Sequence, residues 1–314
     1  MVDVPEERVE WLWRGYIPLG ELTILEGHPG TNKSSLTDDL AARLTQGISM
    51  PGMPSKRGRK HKGGALFLSA EDSLSKTVRG RLLAAGADLT KIGALDSVII
   101  PDDLLRVEKA IAEIGAQLVV VDTVNDFLTC NVLGNQAVRK ALRPLRDLAE
   151  RTNVAIVVIR HFTKGANGNS LLRGGGSTAI TAVARSQLKL YKHPDDLHMR
   201  VLLQDKSTLG PISPSLLFEV APTDNGCFRL NWHGECTLTV DDLERKHKNS
   251  PRLEAAEKLL LEKLAGGPRE VNSLVKEARG VCSKRTLDEA KRSLDIKTLR
   301  EGNGQDHKVS WSLR

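Results

Sequence analysis

The chain has 314 residues, of which 40% are hydrophobic and 4% aromatic, and its formal net charge is +7. That length holds one large domain, or a large one with a small companion, around an aliphatic core. The isoelectric point near 9.2 allows a polyanionic partner. No apolar run reaches the ~18–20 residues of a membrane span, and the acidic start "MVDVPEERVEWLW" lacks the basic region of a signal peptide. The expectation is a cytoplasmic protein, with no membrane partner and reduced, buried thiols. Cys130, Cys227, Cys236 and Cys282 show no C-x-x-C spacing, and Cys227, His233 and Cys236 have no evident fourth zinc ligand.

The first predicted strand, "LTILE" (22–26), runs into "GHPGTNKSS" (27–35) and then the amphipathic helix "KSSLTDDLAARLT", with Leu36, Leu40 and Leu44 on one face. Strand, glycine-rich turn and helix are the parts of a phosphate-binding loop, in which backbone N–H groups and a helix N-terminus face the anion. The stretch departs from G-x-x-x-x-G-K-[ST] at Asn32, which stands where glycine is usual. Asparagine is among the least costly non-glycine residues if that position needs positive φ. Gly27, His28, Pro29, Gly30, Thr31, Asn32, Lys33, Ser34 and Ser35 are therefore the nucleotide-binding candidates. Lys33 would reach the β- and γ-phosphates and the Ser34 hydroxyl a Mg²⁺ ion.

The basic run "SKRGRKHKGG" (55–64) reads as a flexible loop, either a solvated hairpin or a nucleic-acid contact. Next come strand "ALFLS" (65–69), ending in Glu71 and Asp72, and the helix "SLSKTVRGRLLAAG". Glu71 is the candidate for polarising an attacking water, and Asp72 for capping the helix. Further strands are "SVII" (97–100), "LVVVD" (118–122), "VAIVVI" (154–159), "QLKLY" (187–191) and "MRVLLQ" (199–204). Asp122 closes its strand where α/β sheets keep their ligands, so it can hold Mg²⁺ through Ser34 and water. Short, β-branched strands separated by helices predict an α/β core with a mainly parallel central sheet.

The tail differs in kind. After the linker "ERKHKNSP" (244–251), a helix over 252–266 stops at "GGP", "REVNSLVKEARG" forms a second, and Ser283 caps a third, "KRTLDEAKRSL". "IKTLRE" and "KVSWSL" then make a hairpin, so residues 252–314 read as a small winged helix-turn-helix beside an ATPase domain over 1–243. From 250 to 314 there are fourteen Lys and Arg against ten Asp and Glu. Lys284, Arg285, Lys291 and Arg292 are the candidates for a DNA-facing helix, although Asp288 and Glu289 leave protein docking open.

The set "WLWRGYIPLGELTILEGHPGTNKSSL", "LFLSAEDSLSKTVRGRLLAAGADL", "LVVVDTVNDFL", "VAIVVIRHFTKG" and "GGGSTAITAVARS" spans residues 11 to about 220. In order and spacing it resembles the RecA/KaiC-type P-loop ATPases, in the RepA-like and DnaB-like helicase-related branch of AAA-family ATPases common on mobile elements. The resemblance implies a RecA-like fold, ATP and Mg²⁺ as ligands, a homo-oligomeric (hexameric) ring and DNA as partner, single-stranded in the channel and duplex at the winged helix. It places Glu71 as catalytic glutamate and His161 as the polar residue that senses the γ-phosphate. "FTKGANGNSLLRGGGS", with Lys164 and Arg173, corresponds to the channel-lining loop. Lys206 of "LLQDKSTLGP" matches the family's trans-acting lysine, with Arg185 second, while Thr208 stands where DnaB-like members place arginine. The function implied is a DNA-associated ATPase motor, helicase- or recombinase-like, in replication, recombination or repair. A weakly hydrolysing DNA-binding switch and a small-molecule kinase are the competing classes.

Overall fold

The computed structural model describes residues 8–53, 61–128, 135–162, 178–243, 251–301 and 308–313. The chain divides into two compact units, Met1–Val240 and Asp241–Arg314.

A nine-stranded sheet organises the large unit, with β3 (Leu22–Gly27), β4 (Gly64–Ser69), β5 (Ile92–Leu95), β6 (Ala116–Asp122), β7 (Ala155–His161), β8 (Ser186–Lys192), β9 (Met199–Ser207), β10 (Ser215–Pro222) and β11 (Phe228–Cys236). Their spatial order is β11-β10-β9-β8-β3-β7-β6-β4-β5. Strands from β8 through β5 pair in parallel, and β9, β10 and β11 extend the sheet as an antiparallel meander. A short hairpin of β1 (Trp11–Trp13) and β2 (Ile17–Pro18) precedes it, with Trp13 buried.

Side chains alternate between the two faces because successive Cβ atoms in a strand point opposite ways. From β6, Val119 and Val121 join a core containing α3 (Leu104–Ile114), the short α4 (Val124–Phe127) and α5 (Asn135–Thr152), while Leu118 and Val120 join one containing α1 (Lys33–Gln46) and the hairpin. Both faces are covered, which is why these strands read as continuous apolar runs.

Three local expectations are corrected. "SVII" is not a sheet strand: Ser97 has φ 51°, and Ile100 makes an isolated bridge to Leu128. Val98 and Ile100 are nevertheless buried, so the run serves the core and not the ladder; the sheet edge is β5 instead. The helix after β4 begins with a π turn, Leu74–Val78, and continues as α2 (Arg79–Ala85); Ser73, not Asp72, caps it by accepting from the Lys76 N–H. The thiols of Cys227, Cys236 and Cys282 are half-buried. Cys227 and Cys236 flank the length of β11, about 30 Å of extended chain, too far apart to share a zinc ion. Cys130 lies outside the described residues.

The small unit contains α7 (Pro251–Leu264), β12 (Arg269–Glu270), α8 (Val271–Glu277), α9 (Lys284–Ser293), β13 (Lys297–Glu301) and β14 (Lys308–Ser312). The strands form an antiparallel sheet in the order β12-β14-β13. Leu253, Ala256, Leu260, Leu274, Leu287, Ala290 and Trp311 make its core. The Ser283 hydroxyl accepts from the Thr286 N–H, capping α9 as the sequence predicts. The strand β12 was not foreseen.

Candidate nucleotide site

The parallel strands β3, β7, β6 and β4 lie side by side, and their carboxyl ends present the sequence-predicted residues along one edge. Gly27 ends β3 against β8: a Cβ there would sit 2.6 Å from the Leu190 carbonyl oxygen and 2.8 Å from Thr31 Oγ1, so only glycine fits. Asn32 is left-handed, with φ 69° and ψ 36°, the conformation that glycine supplies in the usual loop. Asparagine adopts it at modest cost. Its side chain makes no hydrogen bond to the first turn of α1, so the opening N–H groups of that helix have no side-chain cap. Uncapped donors at the positive end of a helix form an anion site.

Lys33 is buried and its ammonium donates to the carbonyls of Gly27 at 3.0 Å and His28 at 3.1 Å, with His161 Nδ1 at 3.0 Å. Burial lowers its pKa to about 8, against the pull of Asp122 and Glu71. His161 closes β7, and its Nε2 lies 3.8 Å from Glu71 Oε2 just beyond β4. These two side chains are 39% and 53% exposed, open enough for a water to reach them. Ser34 Oγ donates to Asp122 Oδ2 at 2.6 Å. Burial raises the Asp122 pKa, and the Ser34 hydrogen bond opposes it. The Asp122–Thr123 peptide is cis. Lys33, Ser34, Asp122, His161 and Glu71, separated by up to 128 residues, thus meet in one place.

A hydroxyl bonded to a carboxylate beside an uncapped helix start suits a hydrated Mg²⁺ on a polyphosphate. The donor set fits Mg-nucleotide.

Two neighbours were missed. Arg81 of α2 bridges Asp38 at 2.9 Å and Asp72 at 2.7 Å, holding the segment after β4 against α1. Asp38 lies one turn after Ser34, and burial raises its pKa to about 7 despite Arg81. Arg200, read only as part of a strand, reaches Asn32 from β9. Neither arginine carries a motif, although Asp38 at Ser34+4 was visible as a helix-face carboxylate.

Other candidates lie elsewhere. Lys206 is opposite Gln187, itself opposite Ile24, so it sits below the phosphate-loop edge. Its ammonium donates to the carbonyls of Thr181 at 2.7 Å and Ala184 at 2.9 Å, at the end of α6 (Thr178–Val183). Arg185 pairs with Glu21 at 3.4 Å. With Arg139, Arg143 and Arg146 it lines a cleft of about 560 Å³, a positive surface the sequence reading did not assemble. In the small unit Lys284, Arg285 and Arg292 are exposed. Lys291, on the same helix, is partly exposed; it packs over the Trp311 ring at 5.2 Å and bonds Thr298. Lys164, Arg173 and residues 54–60 of the basic run lie outside the described residues.

Several known proteins are similar to this chain in sequence. The DNA repair protein RadA of Mycobacterium tuberculosis is 25% identical over 292 residues, covering 87% of this chain and 54% of that protein. RadA of Halalkalibacterium halodurans is 27% identical over 168 residues, 52% of this chain and 32% of its own. The chain therefore spans about a third to about half the length of these relatives. ABC transporter G family member 11 of Arabidopsis thaliana is 34% identical over 112 residues, only 33% of this chain and 15% of the transporter. The mostly parallel sheet and the RadA similarity together support a RecA-like P-loop core. A family profile described as an AAA domain matches residues 2–167, more than half of the sequence, and the chain belongs to that AAA-domain family.

Proposed function

We propose that the chain is a Mg²⁺-dependent ATPase that acts on DNA in repair or recombination. The observation that carries this reading is the meeting of Lys33, Ser34–Asp122, His161 and Glu71 at the carboxyl ends of four neighbouring strands. The DNA-repair names of the RadA relatives support the choice of polymer.

The N–H groups opening α1 and the Lys33 ammonium bind the phosphate chain, and Ser34 and Asp122 would hold the metal. Mg²⁺ when bound neutralises phosphate charge and polarises the terminal phosphoryl group. The Glu71 carboxylate takes a proton from water as the water oxygen forms a bond to the γ-phosphorus. The bond from that phosphorus to the bridging oxygen breaks, and its electron pair leaves with ADP. His161, held between Lys33 and Glu71, reads whether Lys33 is engaged with phosphate.

Finer features of the reading concern assembly. A hexameric ring would bring Lys206 or Arg185 to a neighbour's nucleotide, and α8, α9 and the β13–β14 hairpin would serve as a winged helix on duplex DNA. The exposed Lys284, Arg285 and Arg292 and the arginine-lined cleft are suited to phosphate backbone. Motor activity of the helicase type follows if hydrolysis is coupled to strand passage.

The test is Mg²⁺-dependent release of phosphate from ATP by the wild-type chain and by Lys33→Ala. Turnover in the first that falls at least ~100-fold in the second supports the reading, in line with the loss of a transition-state contact. No turnover in either contradicts it. Strand displacement from a forked duplex then separates a helicase from a non-unwinding ATPase.

A further inference from the structure

Arg200 is a buried cation that makes no salt bridge among the described residues, and it lies against the phosphate loop. It pairs with Lys192 at the far end of β8, so it stands at the same end of the sheet as Gly27, which pairs with Leu190. The residue is 7% exposed. Its Nη1 donates to the carbonyls of Leu197 at 2.7 Å and Met199 at 2.9 Å, and its Nε donates to Asn32 Oδ1 at 3.1 Å. Among the described residues no carboxylate is within ion-pairing distance and Nη2 has no acceptor. The acid with the largest effect on it, Asp196, directs Oδ1 to the His198 N–H. Burial accordingly works against the guanidinium's charge.

A desolvated charge is costly unless something of opposite sign meets it. Three neutral acceptors satisfy two of the guanidinium nitrogens, and the charge itself is offset only by the attraction of Asp196, with no salt bridge among the described residues. The loop it touches is built for anions, and Asn32 immediately precedes Lys33. Glycine at position 32 would leave Nε without this acceptor. The same left-handed geometry that tolerates asparagine turns its amide toward β9, so the unusual loop residue and the buried arginine form one unit.

We infer that Arg200 is a second cationic ligand for the phosphate chain of the nucleotide, held on the loop by Asn32. The inference rests on the phosphate-loop reading above. It adds a fixed positive charge, from the same chain, to that of Lys33. An arginine suits the role because its fork serves the loop on one edge and phosphate oxygens on another.

The test is calorimetric affinity for ATP, ADP and adenosine, measured on the full chain as wild type, Arg200→Gln, Asn32→Gly and the double variant. Thermal unfolding without nucleotide is recorded for each. Arg200→Gln is expected to weaken ATP and ADP by at least ~10-fold, the scale of a charged hydrogen bond, and adenosine by less than about twofold. Asn32→Gly is expected to weaken ATP by about threefold, and the double variant to be no weaker than Arg200→Gln, because the two residues act through one contact. The ratio of ATP to adenosine affinity is the decisive quantity, since a purely structural arginine would leave it unchanged. ATP binding by Arg200→Gln within twofold of wild type, or equal losses for ATP and adenosine, overturns the inference while leaving the phosphate-loop reading intact. Should Arg200→Gln not fold, Asn32→Gly decides alone, as glycine suits φ 69°. A lowered ratio supports the inference and an unchanged one overturns it. A wild-type chain that binds no ATP overturns this inference and the phosphate-loop reading together.

Discussion

The Lys33 ammonium donates to His161 Nδ1 at 3.0 Å and to two carbonyls of its own loop at 3.0 and 3.1 Å. Three acceptors match its three hydrogens. A phosphate needs the same hydrogens, so His161 and nucleotide compete for one lysine. Replacing His161 by alanine removes a competitor. The expected outcome is ADP affinity raised by about 2–10-fold, the value of one hydrogen bond, with turnover lowered at least ~10-fold. Affinity and turnover moving down together would show that His161 contributes to binding instead.

The lowered pKa of Lys33, about 8 against 10.5 for a free lysine, has two consequences for pH. Between those values the unfolded chain retains a proton that the folded chain has released. Folding stability from this group therefore rises with pH across the window, and below about pH 8 the buried charge weighs against folding in full. A bound phosphate favours the ammonium, so ADP binding near pH 8.5, where the ADP phosphates are already ionised, should take up a fraction of a proton at Lys33. Titration calorimetry in two buffers of different ionisation enthalpy measures this. Equal heats in the two buffers near pH 8.5 would contradict the assignment, and Lys33→Met should abolish the difference.

Asp122 and Ser34 form the other contact on which the account depends, at 2.6 Å. Asp122→Asn keeps the shape and removes the charge. Turnover should fall at least ~100-fold, and the gain in ADP affinity caused by Mg²⁺ should disappear, because a neutral amide is a poor partner for a hydrated divalent cation. ADP affinity in EDTA should stay within about threefold of wild type. An unchanged Mg²⁺ dependence would move the metal elsewhere.

Directly beneath the site, Arg160 and Glu26 pair inside the sheet, one residue before His161 and Gly27 respectively, and both are fully buried. Gln187 donates to Glu26 at 2.8 Å and Arg160 to Thr181 of α6 at 3.0 Å. Arg160→Met strands a buried carboxylate, and urea unfolding should show a loss of about 3–5 kcal/mol. The double variant Glu26→Met/Arg160→Met should lose less than the sum of the single changes. Additive losses would mean the pair is not coupled.

Much of the site was legible because each of its residues ends a recognisable apolar run or follows a glycine-rich turn. "LTILE", "ALFLS", "LVVVD" and "VAIVVI" each deliver Gly27, Glu71, Asp122 and His161 in turn to the strand ends. The positive φ at Asn32 was also readable, since residue type constrains backbone locally. Arg200 and Arg81 were not, because their contacts to Asn32 and Asp38 span 168 and 43 residues and no local period encodes such contacts. "SVII" misled for the opposite reason: β-branched apolar residues suit a strand and a packed irregular segment equally well. In the tail, helix spacing revealed the face carrying Leu287 and Ala290, but not that Lys291 would cover Trp311.

The central claim is that nucleotide turnover at this site answers to DNA. Steady-state ATP hydrolysis by the wild-type chain, with and without single-stranded DNA and with Lys33→Ala as the blank, tests it most directly. The account predicts stimulation of at least ~5-fold by DNA, weakening with added salt as phosphate contacts are screened, and absent in Lys33→Ala. Tight ATP binding with turnover that ignores DNA would contradict it, and would make the chain a nucleotide-binding switch.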